Sequence, residues 1–391
     1  MIPPFLRRLA LALLLALALV AGASALPGYP YSQTVEYAAC DQEIYQQDVV
    51  IHRSSGTAYN ETIGGLETWH IYVGDHCRED YGDIRFVNST GAELAYYLWP
   101  DYDSSSARFC VRLEGADAAF TATPTAGLAP LTVQFTDTST GSGVIQIHYG
   151  NPTATTTSDG GATYEFFDHF DGTAIDSGKW VCWMSGGSQS VSNSAFAISA
   201  GSAAWHGWGT KAKWNYPYNI RLEMRVKVSS DSDYWNVGFN DRVNEPVGII
   251  DCARVLTHNG WWWQTCRENA ASTATRSSSD SFSDWAVARI DLAGDSVKFY
   301  RNNTLKATIT TKLPRDPLSV EMSVKGRTVY TDYVLVRAYS ATPPAASTFS
   351  GEQETTSPPT TTPTSWAWTF GDGGTSSEQN PQHTYTTAGT Y

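Results

Sequence analysis

A chain of 391 residues is too long for one hydrophobic core and divides into about two or three domains. Its 26 basic against 39 acidic side chains give a net charge of −13, which excludes the basic footprint that nucleic acid or an anionic lipid surface requires. Fourteen Trp and 21 Tyr form an aromatic load suited to β-sandwiches.

In chain order, Arg7 and Arg8 precede the apolar run Leu9 to Val20, and Ala23-Ser24-Ala25 forms an A-x-A site. Residues 1–25 are therefore expected to be a signal peptide cleaved before Leu26, the run being too short for a membrane span. The chain is then secreted or held at the cell surface, where its six cysteines read as disulfides rather than metal ligands or nucleophiles. Cys252 and Cys266 flank the hairpin signal His258-Asn259-Gly260 and are expected to bridge. Cys40 with Cys77 is the second expected pair, with Cys110 and Cys182 as the remainder. Spacing alone does not determine the connectivity. Asn60, Asn88 and Asn302 open sequons.

Beyond the signal, short segments alternate apolar and polar residues between Gly, Asn, Asp and Ser turns. Such segments include Asp48 to His52, Ile84 to Val87, Arg108 to Leu113, Val144 to Tyr149, Arg221 to Val228, Trp235 to Phe239, Ala286 to Leu292 and Val329 to Ala338. Strands this dense, without helices between them, predict an all-β chain of antiparallel sandwiches. Residues 341–362 are rich in Ser, Thr and Pro and read as an extended linker, whereas the Thr- and Pro-rich stretch 117–142 keeps strand alternation.

Three resemblances follow from particular residues. Asp80-Tyr81-Gly82-Asp83-Ile84-Arg85-Phe86, with His148-Tyr149-Gly150-Asn151-Pro152 later, resembles an uncharacterised domain of archaeal and bacterial surface proteins. This implies a β domain over 26–165, with Asp80 and Asp83 as the natural partners of Arg85. The segment Phe166 to Gly172, leading through Ile175-Asp176 to Lys179-Trp180, resembles the opening of a concanavalin A-like jelly roll (the laminin-G, lectin and glucanase group), and Val329 to Val336 resembles its closing strand. The third, Trp366-Ala367-Trp368-Thr369-Phe370-Gly371-Asp372-Gly373 with Asn380-Pro381 and Gly389-Thr390-Tyr391, resembles an immunoglobulin-like PKD module. Its first half stands instead at Phe120 to Ser139, inside the first domain, and a final strand is missing after Tyr391. Either the halves at 117–142 and 363–391 pair across the chain, or the sequence is a fragment or chimera.

For the jelly roll at 166–340, glucanases of the group carry alternating carboxylates of the form E-x-D-x-x-E, which act as nucleophile and acid. No such triplet is present: Glu223 and Glu321 stand alone on their strands, and Asp291 and Asp295 flank an Ala-Gly turn. His169, His206 and His258 lack a Ser or Cys partner motif. The expectation is therefore a protein without enzymatic activity. Aromatics supply the alternative chemistry, because flat rings stack on the apolar faces of sugars. The candidates are Trp261 and Trp263 on one strand face, Trp205, Trp208, Tyr234 and Trp235, against the alternative that these rings fill a core. The resemblance also implies a structural calcium between Asp171 and Asp332, and no other cofactor. The expected function is adhesion or binding to a glycan, a cell-envelope polymer or other surface proteins. A structural spacer and a glycoside hydrolase with an unrecognised site are the alternatives.

Overall fold

The computed structural model describes residues 26–38, 40, 42–114, 120–123, 134–137, 142–230, 234–241, 251–257, 261–267, 271–277, 280–354, 368–369 and 373–376. The expected signal peptide at 1–25, the expected turn at His258-Asn259-Gly260 and most of the PKD-like halves lie outside these residues. The described chain is all-β apart from one short helix, and among the described residues no helix is long and apolar enough to cross a membrane.

The N-terminal domain uses β1 (Tyr31–Ala38), β2 (Ile44–His52), β3 (Tyr59–Ile63), β4 (Leu66–Tyr72), β5 (Arg85–Asn88), β6 (Tyr96–Leu98) and β7 (Ser106–Glu114). A short hairpin, β8 (Phe120–Thr123) with β9 (Gln134–Asp137), precedes β10 (Ser142–Tyr149). After α1 (Gly160–Thr163) come the jelly-roll strands: β11 (Phe166–Asp168), β12 (Trp180–Ser185), β13 (Gly187–Ser192), β14 (Ala195–Ala200), β15 (His206–Thr210), β16 (Asn219–Val228), β17 (Trp235–Asn240), β18 (Cys252–Thr257), β19 (Trp261–Arg267) and β20 (Ala271–Ser277). They continue with β21 (Ala286–Ala293), β22 (Val297–Arg301), β23 (Thr304–Ile309), β24 (Ser319–Val324) and β25 (Thr328–Ala338). The last strands are β26 (Ala346–Phe349), β27 (Gln353–Glu354), β28 (Trp368–Thr369) and β29 (Thr375–Ser376).

Two sheets make the jelly roll. One has the order β13-β14-β25-β16-β21-β22-β23 with β11 on β25, and the other β12-β15-β24-β17-β18-β19-β20. Strand alternation sends Leu222, Met224 and Val226 of the first sheet, and Val237, Phe239, Val320 and Met322 of the second, into one shared core. The outer face of the first sheet is polar in sequence, as a solvated face would be, yet it is buried. Arg221, Glu223, Arg289, Asp291 and Arg337 point out of the core and are covered by the N-terminal domain. Arg337 donates to Asp48 Oδ2 of β2 and pairs with Glu223 Oε1, both at 2.8 Å, and Arg221 holds Asp291 through two bonds of 2.6 and 2.9 Å. An aromatic contact between Trp99 and Tyr333, with ring centres 4.9 Å apart, closes the same interface.

The N-terminal domain packs the sheet β26-β1-β10-β5 against β3-β4-β2-β7-β6. Its sequence motifs meet at Asp83, fully buried, whose carboxylate accepts from the backbone N–H of Arg78 at 3.0 Å and of Gly150 at 2.7 Å. Gly150 lies at φ +91°, where an L side chain is strained, and a Cβ there would meet Tyr31 and Pro30. Arg85 does not take the expected Asp80 and Asp83. Its guanidinium donates to the carbonyls of Gly82, Ile84 and Thr155, and Asp80 binds Arg78 instead.

Residues beyond the jelly roll depart from the free linker expected at 341–362. Strand β26 pairs with β1 of the first domain, Trp69 Nε1 donates to Pro344 O at 3.3 Å, and Asn60 Nδ2 donates to Ala346 O at 2.7 Å. The jelly roll is thus an insertion, and the returning chain completes the sheet it left. Among the described residues, the PKD-like halves form separate ladders, β8 with β9 and β28 with β29, and no ladder joins the two. The Cys252–Cys266 disulfide is present, opposite one another on β18 and β19. The expected Cys40–Cys77 bridge is not formed: Cys77 is packed into the first core, where burial pushes its thiol up to about 12, while the Cys40 thiol, beyond the end of β1, donates to the Gln42 carbonyl at 3.9 Å.

Candidate functional site

The outer face of the seven-stranded jelly-roll sheet carries a cleft of about 300 Å³. Alternation builds it: with Val237, Phe239, Val320 and Met322 turned into the core, Asn236, Asn240, Glu321 and Ser323 turn outward, joined by Arg254 and Leu256 of β18. Trp183, Met184, Trp205, Tyr234 and Thr257 form the walls. Trp205 and Tyr234 meet edge to face with centres 6.0 Å apart, and the Lys325 ammonium lies 5.7 Å from the Tyr234 ring at the rim.

The floor is polar and tightly ordered. Glu321 is fully buried, with Arg254 Nη1 at 3.5 Å from its Oε1. Its partners in register on both neighbouring strands are glycines, Gly209 on β15 and Gly238 on β17. Gly238, at φ +142°, tolerates no Cβ, which would approach the Ala253 carbonyl oxygen to 2.6 Å. Arg254 Nε donates to Gln264 Oε1 at 3.0 Å, and Asn236 Nδ2 donates to Ser323 Oγ at 3.0 Å.

Of the six aromatics expected to bind sugar, the structure brings Trp205 and Tyr234 to the cleft. Trp208, Trp235 and Trp263 are core residues, a correction with one cause: each sits at a strand position whose alternation points between the sheets. Trp263 lies opposite Val255 and packs on Phe299, Trp235 packs on Phe282, and Trp208 packs on Phe196 while its Nε1 donates to His206 Nε2. The Trp261 side chain lies outside the described residues. Sequence reasoning names Glu321 but not as a site residue, and does not name Trp183, Asn236 or Arg254; for Asn236, Arg254 and Glu321 the signal is the polar positions alternating with apolar ones on β17, β18 and β24.

Asp171 and Asp332, expected to hold calcium, each have a partner in the structure. Asp171 bonds His169 Nδ1 at 3.0 Å, and Asp332 pairs with Arg225. Among the described residues, three carboxylates gather elsewhere, Asp241, Asp251 and Asp316, with oxygens within 4.8 Å of one another. Burial, together with the charges of Asp251 and Asp316, pushes Asp241 up to about 6. For two-carboxylate glycoside chemistry, a pair about 5–9.5 Å apart is needed. Among the described cleft-lining residues Glu321 is the single carboxylate, and β18 offers Arg254 and Leu256.

A family model described as a domain of unknown function (DUF2341) matches residues 80–128 and 120–182, and a PKD domain model matches residues 337–391. A comparison with curated proteins found no match. Among solved structures, the chain is similar to an endo-β-1,3-glucanase from Pyrococcus furiosus at 14% identity, covering 45% of this chain and 94% of that one with a TM-score of 0.36. A Bacillus licheniformis β-glucanase is similar at 13% identity, covering 44% of this chain and 97% of that one with a TM-score of 0.36. A structure titled for endo-acting O-glycanases of human gut microbiota matches at 12% identity, covering 45% of this chain and 99% of that one with a TM-score of 0.37. The expectation of a protein without enzymatic activity is corrected by these neighbours, which their titles give as glucanases and O-glycanases. The residues that the PKD model matches begin at the end of the last jelly-roll strand.

Proposed function

We propose that the cleft on the seven-stranded sheet binds a carbohydrate chain, and that the protein works as an exported surface protein. The observation that carries the reading is the wall of Trp183, Trp205 and Tyr234 over a floor of Asn236, Asn240, Ser323 and Arg254. Aromatic faces cover the apolar faces of sugar rings, and amide, hydroxyl and guanidinium groups fix their hydroxyls. A second reading, cleavage of the bound chain, is favoured by the Glu321 carboxylate in the same cleft.

Titration of the full chain with β-1,3-glucan oligosaccharides and neutral mucin O-glycans tests the first reading. Trp205→Ala with Tyr234→Ala is expected to weaken binding about tenfold or more with little change in melting temperature, because neither ring belongs to the core. No binding by the native chain, or binding untouched by the double substitution, sinks the site. Reducing ends released by the native chain and lost in Glu321→Gln support cleavage.

A further inference from the structure

A free arginine on the floor of a sugar cleft selects acidic sugars, because the planar guanidinium matches a carboxylate or sulfate through two parallel bonds. Arg254 is not free. Its Nε–H is committed to Gln264 Oε1 at 3.0 Å, and its Nη1 lies 3.5 Å from Glu321. Glu321 has no exposed surface, and neither of its oxygens takes a hydrogen bond. Its flanking positions are Gly209 and Gly238, which bring no side-chain donor, so its charge is answered by Arg254. The acid and the base sum to zero. What remains for a ligand is the outer edge of the guanidinium, on a side chain still 16% exposed, among neutral Trp183, Trp205, Asn236 and Ser323. Among the described residues a further cation, Lys325, lies over the Tyr234 ring at the rim, and the chain as a whole carries −13, a field that repels anions.

We infer that Arg254, its charge cancelled by the buried Glu321, is the group that orients the ligand, and that the cleft takes a neutral sugar chain and rejects an acidic one. Arg254 is the contacting residue; Glu321 is a positioning residue that acts through it. This rests on the binding reading above and adds the class of sugar.

The full chain is titrated with matched probes: neutral and carboxymethylated β-1,3-glucan oligosaccharides, and neutral and sialylated O-glycans. The neutral member of a pair is expected to bind at least about tenfold tighter, with an affinity that salt leaves unchanged. Glu321→Gln uncovers the guanidinium, so the ratio of acidic to neutral affinity rises about tenfold and becomes salt-sensitive. Loss of packing alone would weaken both members together and leave the ratio where it was. A native preference for the acidic probes, or an unchanged ratio in folded Glu321→Gln protein, overturns the inference and leaves the cleft a binding site. If Glu321→Gln does not fold, the native ratio and its salt dependence decide. Binding of no probe overturns the binding reading, and this inference with it.

Discussion

His148 on β10 is fully buried, with Nε2 3.3 Å from Gln146 Oε1 and the Nδ1 atom without a hydrogen-bond partner. Burial lowers it from 6.5 to about 4, since the charged imidazolium is the form that loses most by leaving water. The unfolded chain therefore holds more protons than the folded one between about pH 4 and 6.5, so stability rises with pH across that window and is lost on acidification. The effect reaches about 3 kcal/mol at full protonation. His148→Gln is expected to flatten the stability profile between those limits in denaturant titrations at stepped pH; an unchanged slope would locate the acid sensitivity elsewhere. The residue scale also shows why tryptophans were hard to assign. Trp205 and Trp208 lie three residues apart, yet one lines the cleft and the other fills the core, a difference settled by which sheet face each position occupies.

At the scale of elements, the β18–β19 pair shows how far a turn signal reaches. Apolar alternation and the Asn-Gly turn placed Cys252 opposite Cys266, and the register of the described strands agrees. The same register sets Arg254 opposite Gln264, two residues along on each strand, which is the pair that orients the guanidinium in the cleft. Closing a loop with a sequence separation of 14 stabilises the folded chain by about 3 kcal/mol in the chain-entropy account. Replacing both cysteines by serine should lower the unfolding free energy by about that amount, read from the denaturant midpoint, and weaken glycan binding as the Arg254–Gln264 register loosens. Affinity unchanged in the folded double variant would show that the strand ladder alone holds the floor. Polar positions of β16, β21 and β25 were legible as one strand face, but not as buried ones, because alternation reports the side of a sheet and not what covers it.

For the whole molecule, the covering is the N-terminal domain, and its energetics centre on Arg337 between Asp48 and Glu223. Removing the cation leaves two buried carboxylates facing each other, so Arg337→Met should cost roughly 3–5 kcal/mol, measured by chemical denaturation. Adding Asp48→Asn and Glu223→Gln should return part of that loss, because the uncompensated charges are then gone. A triple variant no more stable than Arg337→Met would mean that packing, and not charge, dominates the interface. The returning segment acts at the same scale: β26 and β27 cover the free edge of β1, a position that would otherwise offer unpaired backbone groups.

The amino-acid sequence by itself determined the β periodicity, the Cys252–Cys266 bridge and the PKD signature, since each is encoded by neighbours along the chain or by one turn. Tertiary structure decided the rest. Ser-, Thr- and Pro-rich residues after Ser340 looked like a spacer, yet β26 is a strand because β1, more than 300 residues earlier, supplies its ladder (Val35 opposite Phe349). Glu321 looked solitary on its strand, and became part of a site only when two glycine-bearing strands and Arg254 closed around it. Local pattern states which face a side chain takes; the partner that meets that face comes from distant parts of the chain, and no local period carries it.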